Sequence, residues 1–180
     1  MLEKTLENLL KTALLPIGKT MYIYGGGWNE KDTGAGIEAM TLGIDPKWAE
    51  FAQKQDSSYN FKDYDYKQNK EYIHLGLDCS GYIGWLLYNI FKNKGYVDFS
   101  KKIANNLATE NKGKVKKAKY ITEYKAGDIM SGESVSHVWL SLGPCNDGSV
   151  VILHSSPSGV HISGTPTPKG IENSHAIDLA

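Results

Sequence analysis

Apolar residues recur at helical spacing at the start of the chain, at Leu2, Leu6, Leu9, Leu10 and Leu14. Positions three and four apart share one helix face, so this stretch predicts a short amphipathic helix ending near Pro16. Glu3 and Glu7 interrupt the apolar run, which therefore does not read as a signal peptide. The clearest helix begins behind Asp78, where Tyr82, Ile83, Leu86, Leu87, Ile90 and Phe91 form one apolar stripe closed by Asn93 and Gly95. Another is expected from Pro46 to about Gln55, with Asp45 as its cap and the proline at the first helical position, where an N–H would have no partner. A shorter helix is expected around Ser100 to Thr109.

From Ala126 onward the pattern changes to short apolar runs separated by turn residues. Ile129–Met130, His137 to Leu142, Val150 to His154, Val160 to Ser163 and a last segment near His175 to Leu179 read as strands, with Pro144 to Gly148 as a hairpin loop. Met21 to Tyr24 alternates weakly and runs into Gly25, Gly26 and Gly27, a turn that allows positive φ and close backbone approach. Helices first and an antiparallel meander afterwards predict one α+β domain over residues 1–180, with the helices packed on a C-terminal sheet.

Composition narrows the classes. With 41% hydrophobic and 22% charged residues the chain is globular rather than disordered or coiled-coil. No stretch approaches the roughly 20 uninterrupted apolar residues of a membrane span. Twenty basic residues, all Lys, balance twenty acidic ones, so the overall charge points to neither nucleic acid nor an anionic membrane as partner. The balance is uneven: residues 92–125 carry ten Lys against Asp98, Glu110 and Glu123. Such a stretch is either a solvated face or a lure for an anionic polymer. Two cysteines, Cys79 and Cys145, are too few for a disulfide scaffold or a four-thiolate zinc site.

Cys79 follows a candidate N-cap, Asp78, in the first turn of the best helix. There the helix dipole and nearby amide groups favour the thiolate, and the same amides can hold an oxyanion. A small buried hydrophobe is the alternative role for such a residue. His137 opens one expected strand and His154 ends the next, so antiparallel pairing can bring the two rings together. A nucleophilic cysteine needs a base, and the base needs a third group to fix its tautomer. His74, His161 and His175 read as ordinary structural residues.

In this order the motifs resemble a known family. Tyr22-Ile23-Tyr24-Gly25-Gly26, then Asp78-Cys79-Ser80-Gly81 opening a helix, then Gly127-Asp128-Ile129, Ser136-His137-Val138, Leu142-Gly143, Val151 to Ser155 and Gly159-Val160 are similar to the NlpC-type cell-wall cysteine peptidases. The resemblance covers about residues 16–30 and 78–163. It implies a papain-like fold and hydrolysis of amide bonds in bacterial peptidoglycan stem peptides, at the bond between D-glutamate and the diamino acid, through a thioester. It implies Cys79 as nucleophile, His137 as general base and His154 as the orienting third residue. Tyr22, Asp78 and Ser80 would lie on the oxyanion and substrate side, Asp78 receiving the substrate's amino group unless it serves only as N-cap. It also implies a monomer without metal or organic cofactor, working outside the cell or in the wall.

Two departures stand out. About fifty residues, 28–77, separate the glycines from Asp78, where the family has a short connection; an insertion there is expected to form a lid or pocket wall, or else a remote elaboration. Trp139 replaces a small residue and is expected to alter packing on the far face of its strand. Other readings keep the residues and change the role: a cysteine amidase or acyltransferase, a catalytically silent wall-binding module, or a zinc protein using Cys79, His137 and His154.

Overall fold

The computed structural model describes residues 3–27, 41–96, 113–132, 137–171 and 173–180. Their order is α1 (Leu6–Leu14), β1 (Met21–Tyr22), α2 (Pro46–Gln53), β2 (Gly76–Leu77), α3 (Cys79–Phe91), β3 (Ile129–Gly132), β4 (His137–Pro144), β5 (Val150–Ser156), β6 (Gly159–Gly164) and α4 (His175–Leu179). The expected helix around Ser100 to Thr109 and the loop holding Ser136 lie outside the described residues. The chain is mixed α+β, with a four-stranded antiparallel sheet in the order β3-β4-β5-β6.

Local chemistry explains most of the boundaries. The Thr5 hydroxyl accepts the Asn8 N–H at 3.2 Å to open α1, and the Asp45 carboxylate accepts the Lys47 N–H at 2.9 Å in front of Pro46. The β4–β5 turn closes with the Cys145 N–H donating to the Ser149 carbonyl and Gly148 at φ 82°. Helix α3 closes earlier than expected. Lys92 takes the left-handed conformation at φ 54° and its N–H donates to the Tyr88 carbonyl, whereas Asn93 caps only the following turn through the Gly95 N–H.

The last expected strand is a helix. The Ser174 hydroxyl accepts the Ile177 N–H at 3.2 Å, the bond of an N-cap, and this wins over strand formation in the five residues that follow. Helix α4 then lies against β6 so closely that a Cβ on Gly164 would stand 2.3 Å from the Ala176 backbone.

Helix α3 is the centre of the core. Tyr82, Ile83, Trp85 and Leu86 are fully buried against Leu140 and Leu153 of the sheet, and the Tyr82 hydroxyl donates to the Ala13 carbonyl of α1 at 2.8 Å. Strands β1 and β2 form a separate parallel pair, Met21 opposite Gly76 and Tyr22 opposite Leu77. Two bonds join this pair to the large sheet: the Ser155 hydroxyl of β5 donates to the Leu77 carbonyl at 2.7 Å, and the Val160 N–H of β6 to the Thr20 carbonyl at 3.1 Å. No helix among the described residues is long and apolar enough to cross a membrane.

Residues 41–77, the described part of the long connection, are bound into this core. Trp48 of α2 is fully buried edge-on to Trp85 of α3 at 6.3 Å between ring centroids. Asn89 accepts the Gly43 N–H at 2.7 Å and donates to the Thr41 carbonyl at 3.1 Å, and the Trp85 indole donates to the Gly43 carbonyl at 2.9 Å. Trp48→Ala should therefore cost about 3–5 kcal/mol, lowering the thermal midpoint by roughly 6–20 °C in a chain of this size. A loss below about 1 kcal/mol in denaturant unfolding would mean that the segment is peripheral to the core.

Candidate active site

The amino end of α3 is built around a buried carboxylate. Asp78, 2% exposed, accepts the Gly81 N–H at 2.7 Å and the Ser80 hydroxyl at 3.0 Å on one oxygen, and the Gly25 N–H at 3.2 Å on the other. Its own N–H donates to the Gly26 carbonyl at 3.1 Å. The turn Gly25–Gly27 can come this close because α3 carries glycine where they meet: a Cβ on Gly81 would stand 1.9 Å from the Gly26 oxygen. Gly25 and Gly27 adopt φ 82° and 81°, conformations that L side chains rarely take. The Asp78 carboxylate thus serves as N-cap and as the tie between turn and helix.

Cys79 occupies the first position of α3 and is half-buried. The backbone N–H groups of Val138, Ser80 and Cys79 itself bear on its sulfur and favour the thiolate. Burial and, after it, the negative charge of Asp78 outweigh them and push the thiol up to about 11. The expectation of a depressed thiol is thus overturned: the amides of the helix end are present, but desolvation is the larger effect. Val138, one of these amide groups, follows His137 at the start of β4.

His137 and His154 meet across the β4–β5 pair. Leu140 stands opposite Leu153, so the two histidines share a face and lie diagonally across the strands. The His137 Nε2 and His154 Nδ1 atoms are 2.7 Å apart. His137 thus spends Nε2 on its partner and keeps Nδ1 as its second ring nitrogen. No hydrogen bond joins the Cys79 sulfur to the His137 ring among the described residues, and catalytic contacts in ligand-free sites commonly tighten only with substrate. Burial first, and then the charge of His161, hold His137 below its ordinary value. Burial, His161 and His137, in that order, push His154 down to about 4. Both rings are therefore neutral at pH 7, each with one donor and one acceptor nitrogen.

Tyr22 lies beside this centre. Burial, followed by the charges of Asp78 and Cys79, pushes its phenol well above the ordinary range, so it remains a neutral O–H donor. Its ring meets Phe61 edge-on at 5.4 Å, and its carbonyl accepts the Tyr59 hydroxyl. Residues of the long connection thus stand against the tyrosine of the site. Ser80 is buried, with its hydroxyl turned to Asp78 and its amide toward the sulfur. Trp139, expected to act on the far face, is two residues from His137 and so on the same face; its ring lies 5.3 Å from the imidazole and its indole donates to the Met130 sulfur at 3.1 Å.

Two neighbours were missed in the sequence. His161 stands directly opposite His154, with ring centroids 4.5 Å apart, and its Nδ1 lies 2.9 Å from the Gly159 carbonyl. The Ser163 hydroxyl lies 2.9 Å from His154 Nε2. Both were legible in principle. A tight turn at Pro157-Ser158 pairs residues symmetrically about itself, which sets His161 against His154 and Ser163 one step further on the same face. Cys145 is a free thiol in the β4–β5 turn, and no group of three or more His, Cys, Asp or Glu among the described residues is arranged to hold a metal ion.

No family model, curated protein or solved structure matches the chain.

The buried imidazoles make stability depend on pH. An unfolded chain protonates His154 near its ordinary 6.5, the folded one only near 4, so between these values the unfolded state binds more protons. Stability should be full above about pH 6.5 and fall as the pH drops toward 4, His137 adding in the same direction. His154→Gln should flatten this dependence in thermal melts across that window; an unchanged slope would contradict it. In the wild type, the iodoacetamide labelling rate of Cys79 should keep rising with pH toward about 11, whereas a plateau near neutrality would mean a preformed thiolate.

Proposed function

We propose that this chain is a papain-like cysteine hydrolase of the NlpC type, cleaving amide bonds in bacterial peptidoglycan stem peptides. The observation that carries the reading is the His137–His154 pair, bonded at 2.7 Å on the strands that pack against α3, the helix that Cys79 opens. A buried cysteine serving only as packing needs no such neighbours. The bond between D-glutamate and the diamino acid, and a place of action in the wall, follow from the motif resemblance.

The resting site holds a neutral thiol and a neutral imidazole. Attack of the Cys79 sulfur on the scissile carbonyl carbon accordingly proceeds with transfer of the thiol proton to His137 Nδ1. The Cys79 amide and the Tyr22 hydroxyl stabilise the oxyanion, Tyr22 remaining a donor throughout because its phenol does not ionise. The His137 imidazolium returns the proton to the leaving amine nitrogen, the C–N bond breaks, and a thioester remains. Water, losing a proton to His137, attacks the thioester carbon; the proton then returns to the departing Cys79 sulfur. His154 holds the His137 ring, and Asp78 acts as a positioning residue through the helix end.

A second reading keeps this chemistry and changes the substrate to another amide, by amidase or acyl transfer. Phe61 against Tyr22 and Trp139 beside His137 favour it, since they set bulky aromatic groups next to two of the residues the resemblance names. Mass spectrometry after incubation with purified stem peptides tests the first reading. The wild type should yield one defined cleavage, absent in Cys79→Ala and reduced by about 10²-fold or more in His137→Ala. Intact stem peptides with wild-type protein would overturn the peptidoglycan substrate.

A further inference from the structure

The long connection and the β5–β6 turn enclose an open cavity of about 410 Å³ that has no role in the scheme above. Its lining comes from Met21 of β1, from Asp56, Ser57 and Tyr59 of the connection, and from the turn Ser156–Ser158. Three contacts set it beside residues already described. The Tyr59 hydroxyl is spent on the Tyr22 carbonyl, so the ring is what this side chain offers the cavity. Ser156 follows His154 by two positions on β5 and therefore shares its face of the sheet. A Cβ on Gly159 would stand 3.3 Å from the Met21 Cα, so the turn is packed on β1.

The polar groups of this lining are set as acceptors. Asp56 Oδ1 accepts the N–H and the hydroxyl of Ser58 at 2.8 and 2.6 Å, while Oδ2 takes no hydrogen bond among the described residues. The Ser58 hydroxyl, and after it the Ser58 amide, hold the carboxyl below its ordinary value, so it is charged at pH 7. A carbonyl can only accept, so a neutral His161 carries its proton on Nδ1, 2.9 Å from the Gly159 oxygen. Its Nε2 is then an acceptor, and the Ser156 hydroxyl 3.4 Å away turns its proton there and keeps a lone pair for a donor in the cavity. Asp56 is the one charged residue among those that line the cavity. We propose that this cavity is a subsite for a primary ammonium on an aliphatic stem: Asp56 pairs with the charge, Ser156 Oγ takes a second N–H, and Met21, Pro157 and the Tyr59 ring flank the stem. An ammonium has three donors and no acceptor, which suits acceptors and a negative charge, whereas an anion would be repelled. That the group belongs to a substrate cut at Cys79 rests on the hydrolase reading; the binding of an ammonium does not.

Backbone ¹⁵N NMR at pH 8 tests the subsite with Nα-acetyl-lysine methylamide as probe and its Nε-acetylated form as the neutral control. The amide signals of Ser57, Ser58, Tyr59, Ser156 and Ser158 should move and saturate with the ammonium probe and stay in place with the control. Asp56→Asn keeps an oxygen for the Ser58 N–H and removes the charge, so it should fold as the wild type does and bind the probe about threefold to tenfold more weakly. Ser156→Ala should weaken binding in the same direction. Equal shifts with both probes, or an unchanged affinity in Asp56→Asn, overturns the proposal. With stem peptides that carry a free side-chain ammonium, Asp56→Asn should raise KM about threefold to tenfold and leave kcat unchanged. Asp56-dependent shifts in a protein that cleaves no stem peptide would uphold the subsite and remove the peptidase reading. Cleavage without those shifts would do the reverse.

Discussion

The Asp78 carboxylate and the bare backbone of Gly81 together fix the amino end of α3, and the candidate site depends on that end. The carboxylate takes donors from the glycine turn, from Ser80 and from the helix itself. The glycine lets the Gly26 carbonyl approach to a distance that any side chain would forbid. A buried carboxylate is tolerated only when its oxygens are satisfied, so turn and helix are held in one arrangement rather than several. Cys79 is the next residue, and its direction follows from that arrangement.

Burial sets the chemical state of the site. The amides at the sulfur and the helix end favour a thiolate, yet desolvation and the Asp78 charge are stronger and leave a thiol. The same desolvation keeps His137 and His154 neutral, reinforced by a third ring at His161. A neutral pair can still do acid–base work, provided that the acceptor nitrogen faces the thiol. Strand β6 completes these surroundings, with His161 opposite His154 and the Ser163 hydroxyl 2.9 Å from its Nε2.

The long connection between the glycine turn and α3 is neither a loose lid nor a remote ornament in the residues described. Its first part is stapled to α3 by Asn89 and Trp85 and fills the core with Trp48. Its later part sets Phe61 and Tyr59 against Tyr22. Aromatic side chains bury large areas and keep few rotamers, so a wall made of them is stiff and selective in shape.

The sequence by itself determined whatever depends on near neighbours. The caps at Asp45 and Asp78, the proline opening α2, the hairpin at Pro144 to Gly148 and the four strands of the sheet all follow from spacing within a few residues. The pairing of His137 with His154 was legible for the same reason, since one hairpin joins their strands. Where two local signals competed, the sequence misled: Ser174 turned the last expected strand into a helix, and Lys92 rather than Asn93 closed α3. Only the tertiary structure decided the rest. Whether the thiol is charged, that Trp48 is core, and that the Tyr59 hydroxyl reaches the Tyr22 carbonyl all depend on groups distant in the chain. Desolvation and cross-strand contact are properties of the folded surroundings, and no residue carries them alone.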